Sequence, residues 1–221
     1  MQIPDQVDWT AHGAVNTPQN QSQCGGCYAF AGTGALEGLT YIKTGNLYNF
    51  SKQQIIDCSK PYGNNGCHGG TFEFTFQYTS VHGMVQEVEY PYLNSESKAC
   101  NSSLVSKSKR YNVSYVSVPS KSNVQLMAAI SRQPVGVGVF SSKDFQFYAG
   151  GVFDVDCPAS LNHAVLAVGY GTDADTGKGF YKIKNSWSVR WGEEGYIRLA
   201  RRNTDGPGTC GILVNPVYPV M

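Results

Sequence analysis

The chain has 221 residues, enough for one large domain or two small lobes sharing a cleft. Its 17 Lys and Arg nearly balance 16 Asp and Glu, for a formal charge of +1, so it carries no basic field to hold nucleic acid or an anionic membrane through counterion release. Its longest apolar runs, such as Ala164 to Val168, fall far short of the roughly 18 residues a membrane span needs. Charged residues are only 15% of the chain, against about 25% in an average soluble protein, and 25 glycines punctuate it, a balance that suits a loop-rich secreted or vesicular protein. No charged-then-apolar-then-small segment opens the sequence, so any signal or pro-segment is expected to have been removed or never to have belonged to it, with Met1 read as an expression start.

Helical patterning dominates the first part of the chain. From Cys27 to Lys43, the residues Phe30, Ala31, Leu36, Leu39 and Ile42 recur at near-helical spacing up to Gly45, which predicts a largely buried helix. Ser51 and Gln54 have capping-box spacing and predict a short helix through Cys58. The aromatic-rich run from Thr71 to His82, closed by Gly83, predicts a helix packed beside these, its Phe72 to Tyr78 stripe reading as core. Asn94 to Lys109 is rich in Ser, Lys and Asn and reads as a solvated connection. A second capping-box pair, Ser122 and Gln125, opens the run Leu126 to Ile130, which ends before Pro134. Beyond it the pattern changes. Val135 to Phe140, Ala164 to Tyr170, Phe180 to Lys184 and Tyr196 to Ala200 are short β-rich runs separated by glycines, predicting a twisted antiparallel sheet or partial barrel.

Seven cysteines occur, at 24, 27, 58, 67, 100, 157 and 210, and an odd number leaves one thiol over when the rest pair. Bridges would place folding in an oxidising compartment. Sequons at Asn20, Asn49, Asn101 and Asn112 point the same way with little weight. Cys27 lies at the mouth of the first predicted helix, where the helix N-terminus favours a thiolate, the nucleophilic form. Taken locally, Cys24-Gly25-Gly26-Cys27 also fits a structural link or a redox pair. Cys24, Cys27, Cys67 and His68 are ligand types for a structural zinc site, but such a site would consume the nucleophile. His12 and His82 read as surface or capping residues.

Two downstream runs bear on Cys27. Leu161-Asn162-His163-Ala164-Val165 opens an apolar strand with a histidine, and Lys184-Asn185-Ser186-Trp187 ends another with an asparagine and a nearby tryptophan. Here the sequence resembles the papain-like cysteine proteases, whose histidine and asparagine follow the cysteine by roughly 130–150 residues. The resemblance covers essentially the whole chain. It runs from Ile3-Pro4 and Val7-Asp8-Trp9 through Gly66-Cys67-His68-Gly69-Gly70 and Gly192-Glu193-x-Gly195-Tyr196 to Tyr218-Pro219-Val220.

The resemblance implies an α+β, papain-like two-lobe fold, with a helical N-terminal lobe (roughly 10–115), an antiparallel β-barrel-like C-terminal lobe (roughly 116–221) and the active-site cleft between them. The expectation is a single peptidase domain over 1–221, with terminal segments able to cross between lobes. Cys27 is then the nucleophile of a cysteine endopeptidase and forms an acyl-enzyme, with His163 as base and then acid. Asn185 orients the imidazole and Trp187 shields their hydrogen bond. Gln21 and the Cys27 N–H hold the oxyanion. The implied disulfides are Cys24–Cys67, Cys58–Cys100 and Cys157–Cys210, one choice among the fifteen that six cysteines allow. Substrate would add a short strand along Gly69 and Gly70. Asn162 is a further substrate-binding residue. Thr71, Phe72, Gly138, Ala164 and Asn215 would line the pocket for the residue two before the scissile bond, giving a hydrophobic or aromatic preference, with Gly138 deepening it.

The chain departs from the family pattern at Gly26 (usually Ser), Tyr28 (usually Trp), His68 (usually Asn) and Ser188 (usually Gly), none of which removes a reacting group. A glycan on Asn20 would clash with the oxyanion loop, so that site is expected unmodified. No cofactor and no metal are implied. Expected partners are peptide and protein substrates, the enzyme's own pro-segment and cystatin-like inhibitors, with no nucleic acid or membrane, and a monomeric state. The expected location is lysosomal, in acidic vesicles, or secreted. The rival readings are a non-catalytic member of the same fold and a thiol–disulfide oxidoreductase.

Overall fold

The computed structural model describes residues 2–221; the reading of Met1 lies outside them. In chain order the elements are β1 (Val7–Asp8), α1 (Cys27–Thr44), α2 (Lys52–Cys58), α3 (Phe72–His82), α4 (Ser102–Val105), β2 (Ser114–Ser117), α5 (Asn123–Ile130), β3 (Val135–Val139), α6 (Lys143–Gln146), β4 (Val152–Phe153), β5 (His163–Thr172), β6 (Gly179–Lys184), β7 (Tyr196–Ala200) and β8 (Val217–Val220). Two hydrophobic cores result. One gathers Leu36, Ile55, Ile56, Phe76 and Tyr78 around α1 to α3, and the other gathers Ile130, Val137, Phe145, Ile183 and Leu199 on the sheet. The N-terminal segment packs on the second core through Ile3, Val7 and Trp9, whose indole donates to the Ile130 carbonyl at 2.7 Å.

The long helix α1 is buried almost all round, so its face periodicity is weak and its packing is dense. A Cβ on Gly34 would lie 2.8 Å from Leu166 of β5, and one on Gly38 would lie 2.6 Å from Pro134. Glycine costs a helix about 1 kcal/mol relative to alanine, and here it lets the Leu166 and Pro134 side chains lie against the helix backbone. Gly45 ends the helix with φ 75°, its N–H donating to the Tyr41 carbonyl.

The two capping boxes form differently from their sequence pattern. Ser51 accepts the Gln54 N–H at 2.9 Å, but the Gln54 side chain turns inward to Tyr78, the Gly83 carbonyl and the Val85 N–H. The N–H of Ser51 goes to the Val85 carbonyl instead, because tertiary partners offer Gln54 a fully buried set of bonds. At α5 the side chain of Ser122 makes no cap bond; Asp205, far along the chain, accepts the Asn123 N–H at 2.9 Å.

The sheet runs β2-β8-β3-β5-β6-β7-β4, with β1 added to β5. Every pairing is antiparallel except β4 with β7, where Val152–Phe153 runs parallel to Arg198–Leu199. The sheet is antiparallel as expected, apart from one short parallel pair at its edge. That pair is only two residues long and lies where the chain leaving α6 returns across the sheet edge, so the direction of the loop sets its sense. The run Asn94 to Lys109 is largely exposed, as its composition implies, but contains the single turn α4, capped by Asn101.

Candidate active site

Cys27 is the first residue of α1, and Gly26 before it offers no side-chain cap. The backbone N–H groups of Ala164 of β5, Tyr28 and Cys27 lie near the thiol sulfur. Burial pushes this thiol above its ordinary pKa, and those amides oppose the shift. Cys27 is the one free cysteine among the described residues. The bonds Cys24–Cys67, Cys58–Cys100 and Cys157–Cys210 occupy the others. Cys24 therefore bonds away from Cys27, which disposes of the local redox pair, and the Cys24–Cys67 bond takes two of the ligands a zinc site there would use.

The loop before α1 is pinned by backbone fit. Gly25 donates to the Cys67 carbonyl at 2.8 Å, and a Cβ at that position would fall 2.4 Å from the same oxygen. Tyr28 keeps aromatic bulk in the core and adds a hydroxyl bond to the Gly66 carbonyl at 2.8 Å. That hydroxyl ties α1 to the turn that carries Gly69 and Gly70.

His163 opens β5, and Asn185 follows the last residue of β6. The antiparallel pairing of Leu166 with Lys184 brings the two together. Their side chains meet at 2.8 Å, His163 Nε2 against Asn185 Oδ1, which also accepts the Ser186 N–H. The Trp187 ring stacks on the imidazole at 4.8 Å and 20°. Phe145 of α6 and Trp191 complete an aromatic wall, both with rings edge-on or stacked against this group. Desolvation lowers the His163 pKa to about 4, against the opposing pull of Asn185.

Gln21 is held at three points. Its backbone N–H donates to the Ser186 carbonyl at 2.8 Å, its Oε1 accepts from the Ser186 hydroxyl, and its carbonyl accepts from Tyr92. With Oε1 engaged, the amide nitrogen faces the nucleophile's loop, one N–H donating to the Cys24 carbonyl at 3.1 Å and the other left over. The sequence reading missed Ser186, Phe145 and Tyr92. The only available signal for Ser186 was its place between Asn185 and Trp187.

Along the opposite wall, a Cβ on Gly69 would meet nothing within 4 Å, and its φ of 105° belongs to glycine's range. At Gly70 a Cβ would fall 2.2 Å from the Asn64 side-chain oxygen, and Thr71 after it caps α3, accepting the Phe74 N–H. Phe72 is buried with its ring on Gly136 of β3. Gly138 pairs with Ala164, but the space it leaves holds Leu161, whose Cδ1 would sit 2.6 Å from a Cβ there. Gly138 thus makes room for the Leu161 side chain, a residue that the sequence reading did not include. Asn162 is exposed and uses its side chain to accept the Ser141 N–H. His68 is exposed at 3.9 Å from Glu96, His12 packs beside Trp9, and His82 bonds Tyr62 and stacks on Tyr78.

Beneath the site lies a buried charge cluster. Glu37 of α1 accepts from Lys52 and from the Phe50 N–H, each at 2.9 Å. Lys184, adjacent to Asn185, faces the same carboxylate. Burial works against ionisation of Glu37, yet the two lysines hold its pKa below the usual carboxylate value. Burial brings Lys184 down to about 8.

Among the described residues no group of His, Cys, Asp and Glu side chains is arranged to hold a metal ion, and no helix is long and apolar enough to cross a membrane. The fold matches solved structures closely. The bromelain protease from Ananas comosus in complex with the E64 inhibitor superposes with a TM-score of 0.93 at 39% identity, covering 99% of this chain and 100% of that one. The proform of the ragweed pollen allergen Amb a 11, a cysteine protease, superposes at 0.94 with 38% identity over 100% of this chain and 66% of its own. Among curated sequences, germination-specific cysteine protease 1 of Arabidopsis thaliana is 42% identical over 99% of this chain and 58% of its own length. Cysteine protease 1 of Oryza sativa subsp. japonica is 40% identical over 99% of this chain and 45% of its own. The chain spans about half the length of the curated relatives it matches. A sequence profile described as papain family cysteine protease matches residues 3–220, and with these relatives it establishes that the chain belongs to the papain family of cysteine proteases.

Proposed function

We propose that the chain is a cysteine endopeptidase that hydrolyses peptide bonds through an acyl-enzyme on Cys27. The observation that carries this reading is the free thiol at a helix N-terminus without a side-chain cap, met across the cleft by the strand that begins with His163, whose ring bonds Asn185. Burial alone disfavours both the thiolate and the imidazolium. The two charges therefore form together, the proton of Cys27 passing to His163, and the pair titrates as a unit.

The thiolate attacks the scissile carbonyl carbon, and the carbonyl electrons move onto oxygen. The remaining Gln21 N–H and the Cys27 N–H receive that oxyanion. Imidazolium His163 then protonates the leaving amine as the carbon–nitrogen bond breaks. Water, deprotonated by His163, releases the carboxylic acid and restores the thiol proton to the pair. Asn185 orients the ring without adding a second full charge.

Substrate lies extended along Gly69 and Gly70, with Asn162 and Trp187 flanking the bond to be cut. Phe72, Ala164 and Leu161 favour a hydrophobic or aromatic residue two positions before it, with Thr71 and Gly138 in the same lining. No histidine-bearing insertion blocks one end of the cleft, which supports internal cleavage over trimming. The enzyme acts as a monomer, restrained by its pro-segment and by cystatin-like inhibitors, in an acidic vesicle or outside the cell. The disulfides fit that location.

The test is hydrolysis of a fluorogenic peptide carrying Phe-Arg before the leaving group, under mild reductant at mildly acidic pH, with Cys27→Ala alongside. Release by the parent alone is expected. Equal release by both proteins would sink the mechanism.

A further inference from the structure

The four sequons meet different surroundings in the fold. Asn20 pairs with Trp187 in a backbone bridge on the loop that carries Gln21, and its Oδ1 accepts the Ser22 N–H at 3.0 Å. A glycan there would stand over the cleft. Asn49 is half-buried, and its Oδ1 accepts from Lys52 at 2.6 Å. Phe50 and Ser51 after it are buried, the serine hydroxyl donating to the Tyr90 carbonyl at 2.6 Å. Asn101 is exposed, but it follows directly on the Cys58–Cys100 bond and uses its Oδ1 to cap α4.

Asn112 differs from all three. It is exposed, lies outside any helix or strand, and its side chain makes no hydrogen bond among the described residues. Its neighbours anchor it on the surface: Tyr111 sets its ring edge-on to Phe50 at 5.8 Å, and Val113 is buried in the first core. Ser114, the hydroxyl residue of the sequon, is exposed as well and opens β2 opposite Val220.

β2 is the end strand of the sheet, paired with β8 on one side and with no strand on the other. Three of its four residues are exposed, Val116 among them. An open edge is a template for pairing with another chain, and proteins guard such edges with charge, proline, a bulge or a cover. Ser114-Tyr115-Val116-Ser117 has neither charge nor proline, and a net charge of +1 gives little repulsion between copies.

We infer that Asn112 is an N-glycosylation site and that its glycan guards the edge of β2 against pairing between copies of this chain. The inference rests on the secreted or vesicular location proposed above. In the modification, Asn112 Nδ2 displaces lipid pyrophosphate from the anomeric carbon of a lipid-linked oligosaccharide. A carbon–nitrogen bond forms, the carbon–oxygen bond to the phosphate breaks, and the amide gives up one proton. The sugar is bulky and solubilising, and it starts two residues before the strand. β2 lies three places along the sheet from β5, which carries His163, so the glycan leaves the catalytic strand clear.

The test is glycopeptide mass spectrometry on the chain isolated from its own cells and on the chain secreted by a eukaryotic host behind a signal peptide. Asn112 is expected to carry a glycan in both, to lose it in Asn112→Gln and Ser114→Ala, and to keep it in Ser114→Thr. The two bare variants should aggregate at a lower temperature by light scattering, with kcat/KM on the Phe-Arg peptide unchanged. The parent trimmed by an endoglycosidase should do the same, and its sequence is intact, so a variant that fails to fold does not decide the matter. Asn112 bare in the secreted chain while another sequon is occupied would overturn the inference. An occupied Asn112 whose trimming leaves association unchanged would overturn the guarding role. All four sequons bare in the chain from its own cells, with Asn112 occupied in the secreted one, would overturn the location reading and the inference with it.

Discussion

His163 Nε2 and Asn185 Oδ1 meet at 2.8 Å beneath the Trp187 ring, which stacks on the imidazole at 4.8 Å. The contact fixes the ring plane and, in the mechanism proposed, leaves the other imidazole nitrogen for the thiol proton. Asn185→Ala is expected to lower kcat by roughly 10–100-fold with little change in KM, because orientation matters at the transition state more than in binding. Steady-state kinetics on a peptide substrate checks this. A variant that loses KM alone would place Asn185 in substrate binding instead.

Gln21 owes its orientation to Ser186, which accepts its backbone N–H through a carbonyl and donates its hydroxyl to Oε1. Gln21→Ala should cost roughly 10²-fold in kcat, the usual loss for one oxyanion donor. Ser186→Ala should cost a smaller part of that, since the bond to the Cys24 carbonyl still restrains the amide. If both variants kept full kcat, the oxyanion would be bound elsewhere.

The cluster of Glu37, Lys52 and Lys184 makes stability depend on pH in a definite sense. Lys184 titrates at about 8 in the folded chain and near its ordinary value of roughly 10.4 when unfolded. Across that window the unfolded state binds more protons, so this residue makes stability rise with pH between about 8 and 10, and below 8 its buried charge weighs fully against the fold. Lys184→Met is expected to flatten that rise, as read from urea midpoints at several pH values. Glu37→Gln leaves two lysines without their counter-charge and should destabilise by roughly 3–5 kcal/mol at neutral pH.

Ser188 holds φ 73°, a left-handed conformation, and uses its hydroxyl to accept the Arg190 N–H. Ser188→Gly relieves the Cβ strain of roughly 1–2 kcal/mol but gives back part of it as unfolded-chain entropy and a lost turn bond. The expected net gain is up to about 1 kcal/mol, measured by denaturant unfolding, with activity unchanged. A clear loss of stability would show that the hydroxyl bond outweighs the strain.

The sequence by itself determined the elements that depend on local pattern. The helix opening at Cys27, its stop at Gly45, the third helix closed at Gly83 and the strands led by Val135 and His163 all lie where periodicity and terminators set them. The separated motifs around Cys27, His163 and Asn185 pointed to the family, because one inherited fold keeps the same residue types in the same chain order. Tertiary structure decided what those groups lean on. Gln54 abandons its capping box for buried partners, Asp205 replaces Ser122 as a cap, Leu161 fills the space at Gly138, Ser186 turns Gln21, and Glu73 finds Asn215. Each of these contacts joins residues far apart in the chain whose types alone specify no partner. Only the packing of the two cores fixes which donor reaches which acceptor, and at that range hydrogen-bond geometry, rather than propensity or spacing, selects the outcome.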